Sequence, residues 1–294
     1  MDVVPEHIHI IDLKFAFEVA VGLIIGVFAG ITGMPLGALR LPAIYSVVST
    51  PQVAAGTNLG IDILTATTAA YRYWKANLVD ITVLVYMGSF SCIGAFLGGY
   101  SSGFVSYKWL LLFIGVVYFY VGLDMLRSAA SSGGSWTGHS GQSGQSGKGQ
   151  PGKERLGEGR GRGWKFRVEM TSRKGAVIAA LFGFILGFVG GMVGLLMGSL
   201  RVPAMIKVMG LAPATAAGTN MVISTFFAIS GFSGHLMHKN LDLSVLLTVG
   251  TASVVGSYAG SHLGITLSPS TARRLIGIAI ILMATILFMT GIRL

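Results

Sequence analysis

Two arginines stand where arginine is costly. Arg40 lies in Gly33-Met-Pro-Leu-Gly37-Ala-Leu-Arg40-Leu-Pro42 and Arg201 in Gly194-Leu-Leu-Met-Gly198-Ser-Leu-Arg201-Val-Pro203, each between apolar runs. A guanidinium kept from water needs a partner, and its planar fork of N–H groups suits a planar or tetrahedral oxyanion. Pro42 and Pro203 suit the first turn of a helix, where a missing N–H costs nothing, so each arginine is expected at a helix N-terminus. Such an end adds unpaired backbone N–H groups and about half a positive charge from the macrodipole. Gly37 and Gly198 belong to the same turns and are candidate substrate-binding positions with the arginines.

A second unit also occurs twice, as Pro51-Gln-Val-Ala-Ala-Gly56-Thr57-Asn58 and Pro213-Ala-Thr-Ala-Ala-Gly218-Thr219-Asn220. Proline again marks a helix start, preceded in the first copy by Ser49 and Thr50 as possible caps. Thr57, Asn58, Thr219 and Asn220 suit two uses, hydrogen bonding to an oxyanion or stitching helices together, and both stay open at this stage. Asp62, in an apolar segment, falls opposite Ser224 in the second copy, so its carboxylate is unique to one of them. It is a candidate coupling group that carries a proton, or a partner for an arginine.

Other polar residues carry less. His235 and His238 are spaced by three at a segment end with only Asp242 nearby, which reads as interfacial histidines rather than a metal site. Asp80 and Asp242 open segments and suit capping. The single cysteine, Cys92, sits in an apolar run and excludes an internal disulfide or a cysteine metal cluster. No nucleophile–base pair, haem-ligating histidines or ATP-binding loop is present, so intramembrane enzymology and direct ATP use are the weaker readings, and no cofactor is expected.

The elements that must hold these residues follow from composition. Of 294 residues, 52% are hydrophobic and 11% charged, well below the roughly quarter charged expected of a water-soluble domain. The uncharged stretches Val19–Leu39, Leu41–Ile61, Ile81–Tyr107, Gly175–Leu200 and Leu275–Ile292 reach or approach the ~20 residues that cross a ~30 Å hydrocarbon layer. Asp2, Glu6 and Asp12 precede the first apolar run without a basic region or a small-residue cleavage site, so no removable signal is expected.

The chain repeats itself. At one offset, Gly22, Gly26, Gly30, Gly33, Gly37, Arg40 and Pro42 fall on Gly183, Gly187, Gly191, Gly194, Gly198, Arg201 and Pro203; one residue is then inserted, and Gly56, Thr57 and Asn58 fall on Gly218, Thr219 and Asn220. Long segments are read at 15–34, 52–71, 81–101, 108–127, 175–194, 214–235, 243–263 and 273–292. Between the first two of each half lies a piece too short to span, Leu41–Val48 or Val202–Val208, read as a half-helix or re-entrant segment. The glycines at four-residue spacing are read as close helix packing.

The organisation is therefore a first transmembrane repeat at 1–128, a basic Gly/Ser-rich disordered linker at 129–170, and a second repeat at 171–294. Most of the net charge of +10 gathers between Arg127 and Lys174, which places that stretch on the cytoplasmic face near anionic lipid and argues against nucleic acid as the partner. The expected fold is all-α and polytopic, two halves of four transmembrane helices plus a half-helix each. About a pseudo-two-fold axis, Arg40 and Arg201 would converge on one anion.

On these residues the chain resembles the TauE/SafE sulfite exporter family, also called the toluene sulfonate uptake permeases. The resemblance rests on two related halves, each with a Gly-rich stretch, a Pro a few residues later, and then Ala-x-Gly-Thr, here Ala54-Ala-Gly56-Thr57 and Ala216-Ala-Gly218-Thr219. The family pattern GxGGGxxxxPxL keeps Gly33, Gly37, Gly194 and Gly198 here, with Pro35 and Leu36, or Leu196 and Met197, at its middle, and arginine where an apolar residue is common. The resemblance implies a secondary transporter of sulfite, thiosulfate, organosulfonates or related sulfur anions in a bacterial-type inner membrane. An anion channel built from the same loops is the alternative.

Overall fold

The structure is a computed structural model and describes residues 6–45, 47–48, 50–104, 106–131 and 173–293. Its regular elements are helical: α1 (Glu6–Thr32), α2 (Gly37–Tyr45), α3 (Pro51–Lys75), α4 (Ile81–Val83), a π-helical turn (Leu84–Gly88), α5 (Ser89–Tyr100), α6 (Tyr107–Ser131), α7 (Arg173–Val193), α8 (Gly198–Lys207), α9 (Pro213–Leu236), α10 (Leu243–Thr266) and α11 (Pro269–Arg293). The π-helical turn links α4 and α5 into one continuous span, Ile81–Tyr100. Most of the stretch expected to be a linker at 129–170 lies outside the described residues, but α6 continues past its boundary to Ser131.

Among the described residues, six helical spans are long and apolar enough to cross a membrane: Phe15–Thr32, Ile81–Tyr100, Tyr107–Arg127, Gly175–Val193, Leu243–Thr266 and Ser270–Arg293. The long helices α3 and α9 fall short of that apolarity for a reason visible in their surroundings. Every residue from Ala54 through Asp62, and from Ala216 through Ser224, is buried. A helix enclosed on all sides meets protein rather than lipid, and can carry Thr, Asn, Ser and Asp if each finds a partner. Large apolar side chains turn outward on the other long helices, among them Phe113 on α6, Ile185 on α7 and Leu282 on α11, and on the later turns of α3 and α9, at Tyr71 and Phe226.

The packing interlocks the two ends of the chain. α1 lies along α10, α5 along α7, α6 along α11, and α3 along α9, while α10 also flanks α3 and α5 flanks α9. The spaced glycines make the first two contacts possible. A Cβ added to Gly30 would stand 2.5 Å from Ser257 O and Ser261 N of α10. Their role as packing positions, read from spacing, is what the helices use.

The short segments begin earlier than proline suggests. α2 and α8 start at Gly37 and Gly198, so Pro42 and Pro203 lie inside them rather than in the first turn. The chain break is made by glycine: Gly33 (φ 64°) and Gly194 (φ 75°) end the preceding helices in the left-handed region, where a side chain is strained. At 9 and 10 residues, α2 and α8 extend only about 14 Å at 1.5 Å per residue, half a hydrocarbon layer.

Candidate anion site at two interrupted helices

Each interrupted helix is held by the other half of the chain. A Cβ on Gly33 would stand 2.5 Å from Ala217 Cα, and one on Gly194 would stand 2.5 Å from Ala55 O. Asn58 Nδ2 donates to Gly194 O at 2.8 Å, and Asn220 Nδ2 donates to Gly33 O at 2.9 Å. Asn58 and Asn220 also lie against the first residues of α2 and α8, since a Cβ on Gly198 would stand 2.7 Å from Asn220 Nδ2 and 3.1 Å from Pro35 Cδ. The turn before α2 thus abuts the start of α8.

Thr57 and Thr219 are used differently. Thr57 Oγ1 accepts from Asp242 N at 2.9 Å, and Thr219 Oγ1 accepts from Asp80 N at 2.8 Å. Asp80 and Asp242 in turn cap α4 and α10, accepting from Val83 N (2.9 Å) and Val245 N (3.1 Å), as their positions suggest. Thr50 likewise caps α3 through Val53 N. The triplet Gly-Thr-Asn therefore fastens two loops of the opposite half, the threonine to one and the asparagine to the other.

Both arginines are fully buried, and their partners differ. Arg40 forms an ion pair through Nη2 with Asp62 Oδ1, donates from Nε to Asn58 Oδ1 at 3.3 Å, and from Nη1 to Thr65 Oγ1 at 3.4 Å. Arg201 Nη2 donates to Leu196 O at 2.5 Å and to Ser224 Oγ at 2.9 Å. Its guanidinium carbon lies 5.2 Å from the centre of the Phe227 ring. Arg201 Nε and Nη1 have no hydrogen-bond partner, and no carboxylate pairs with it among the described residues. Because Leu196 precedes α8, the guanidinium folds back across that helix's N-terminus, the positive end of its dipole.

A guanidinium without a counter-charge in a buried setting costs several kcal/mol, on the order of the desolvation of one ion. Contact with an aromatic face recovers about 0.5 to 2 kcal/mol of this. The remainder is what a bound anion would supply. Tyr118, fully buried on α6, donates to Met197 Sδ at 3.2 Å and lies within electrostatic reach of Arg201, as does Cys92.

Thr65, Phe227 and Tyr118 are side chains at the arginines that sequence reasoning does not single out. The first two have a signal: Asn58, Asp62 and Thr65, like Asn220, Ser224 and Phe227, recur at i, i+4 and i+7, one face of a helix. Tyr118 has none, because only tertiary packing brings α6 to α8. His235 corrects an expectation. It is buried rather than interfacial, with Nε2 2.9 Å from Gly191 O, because α5 and α7 cover the end of α9; His238 alone is exposed, against the Tyr100 ring.

Short helices that begin inside a bundle, with polar N-termini and a buried cation, are the architecture of polytopic membrane carriers. The family described as sulfite exporter TauE/SafE matches residues 18–287. The chain belongs to that family of membrane transporters. It is similar to the probable membrane transporter protein YunE of Bacillus subtilis (strain 168), at 25% identity over 293 residues, covering 96% of this chain and 97% of that protein. No solved structure matched it.

Proposed function

We propose that the protein is a secondary transporter that moves small sulfur-containing anions such as sulfite, thiosulfate or organosulfonates across a bacterial-type cytoplasmic membrane. The observation that carries this reading is Arg201, a fully buried guanidinium at a helix N-terminus with Nε and Nη1 unpartnered. An oxyanion answers both the charge and the donors. Gly198 and Asn220 complete the site at Arg201, Arg40, Gly37 and Asn58 form its counterpart in the first half, and Thr57 and Thr219 position the loops around both. Asp62 is the coupling candidate, since protonation would release Arg40.

The two halves act as repeats of four helices and a half-helix related by a pseudo-two-fold axis, supported by the paired bonds of Asn58 and Asn220 and of Thr57 and Thr219. Relative motion of these interlocked halves would open the site to either side in turn. The excess of Lys and Arg in the stretch at 129–170 supports a cytoplasmic position for it.

The test is uptake of labelled sulfite and thiosulfate by proteoliposomes. Saturable flux, stimulated by unlabelled anion on the opposite side and lost in R201Q, is expected. Flux that rises linearly and ignores the trans anion would identify a channel, and no flux of either anion would remove the substrate assignment.

A further inference from the structure

We infer that Asp62 is a tethered anion: its carboxylate fills, in the first half, the place that the substrate anion takes in the second, so that each chain binds one anion, at Arg201. This rests on the reading of Arg201 as an anion-binding group.

The two halves build the same frame around each arginine and differ in what faces it. α2 and α8 each open on glycine, carry arginine in the fourth position and lie against an asparagine. The next residue on the asparagine's face, four further on, touches the arginine in both halves. It is Asp62 in one and Ser224 in the other.

The carboxylate does what a ligand would do. Asp62 Oδ1 pairs with Arg40, while Oδ2 is buried, without a hydrogen-bond partner, and directed at the first residue of α2, where a Cβ on Gly37 would stand 2.9 Å from it. One oxygen of the anion thus pairs with a guanidinium while the other lies beside the start of a helix, the two features that attract an oxyanion. At α8, the matching position is Ser224, a shorter neutral side chain that engages only Arg201 Nη2 and leaves Nε and Nη1 without a partner.

Charge is unbalanced in the same direction. Among the described residues the buried carboxylates are Asp62 and Glu18. Glu18 accepts from Thr248 at 2.6 Å and lines a small cavity together with Arg40, so both lie on Arg40's side. Arg201 has neither. Ser224 is then the residue that keeps the second site open, and Asp62 the one that closes the first.

The experiment is binding stoichiometry for the full chain in nanodiscs, by equilibrium dialysis with labelled sulfite and thiosulfate, alongside the thermal midpoint without ligand. Wild type is expected to bind one anion per chain. S224D is expected to lose binding at least tenfold and to melt higher, because the new carboxylate pairs with Arg201. D62S is expected to bind two, and D62N serves if D62S does not fold.

Two anions bound by wild type, one bound by both Asp62 variants, or S224D binding as wild type would each overturn the inference. Absence of binding in wild type would overturn Arg201 as a sulfur-oxyanion site. The tethered-anion reading would then be judged on the melting of S224D, and an unchanged or lower midpoint would overturn it.

Discussion

The side-chain amide of Asn58 donates to the carbonyl oxygen of Gly194 across 136 positions of sequence, at 2.8 Å. The bond ties the helix after one interruption to the turn that makes the other, and Asn220 returns it to Gly33. Each interruption is thereby held from outside its own half.

Removing either amide leaves a buried carbonyl unpaired. N58A and N220A are each expected to destabilise the protein by about 1 to 3 kcal/mol. T67A, which removes an exposed hydroxyl bonded within its own helix, should cost almost nothing by comparison. Unfolding by SDS titration from mixed micelles measures all three.

Arg40 and Arg201 should fail in opposite ways. R40Q strands the buried Asp62 carboxylate and is expected to cost about 3 to 5 kcal/mol of stability. R201Q removes a cation that has no counter-charge, so its thermal midpoint should equal or exceed wild type while transport is lost. Melting and flux measured on the same preparations separate the two; equal destabilisation by both would contradict the charge asymmetry.

The threonines predict a remote effect. T219V deletes the acceptor for Asp80 N, and T57V the acceptor for Asp242 N. Amide exchange at Asp80 should quicken roughly three- to tenfold in T219V with Asp242 unchanged, and the reverse should hold in T57V. Hydrogen–deuterium exchange read by mass spectrometry resolves the two loops.

Gly33 and Gly194 combine positive φ with a close neighbour. G33A and G194A are expected to lose about 1 to 2 kcal/mol to backbone strain alone, and more to overlap with Ala217 and Ala55. G103A, where an added Cβ meets nothing within 4 Å, is the matched control and should fold normally. Yield of monodisperse protein in detergent is the readout.

Much of this architecture is legible in the amino-acid sequence. Apolar runs place the long helices, because a membrane core demands length and apolarity together, and the duplicated glycines locate both interruptions. Asp62 stands out as a carboxylate in one copy only. What stays hidden depends on pairing between distant segments. Nothing local says that Thr57 serves Asp242, that Tyr118 reaches Met197, or that His235 is covered. Pro42 and Pro203 mislead for a local reason: proline reads as the helix start, whereas the left-handed glycines before Gly37 and Gly198 set it.

The enclosure of α3 and α9 reaches back to the ribosome. Asp62 in a helix centre costs about 2.5 to 3.5 kcal/mol to hand to lipid, and α3 lacks the apolarity to offset it. The helices that shelter it, α9 and α10, are translated later. During synthesis α3 is therefore complete before the helices that bury its polar face exist, and only Arg40, on α2, precedes it as a partner for Asp62. The full burial of that face comes only with the second half of the chain.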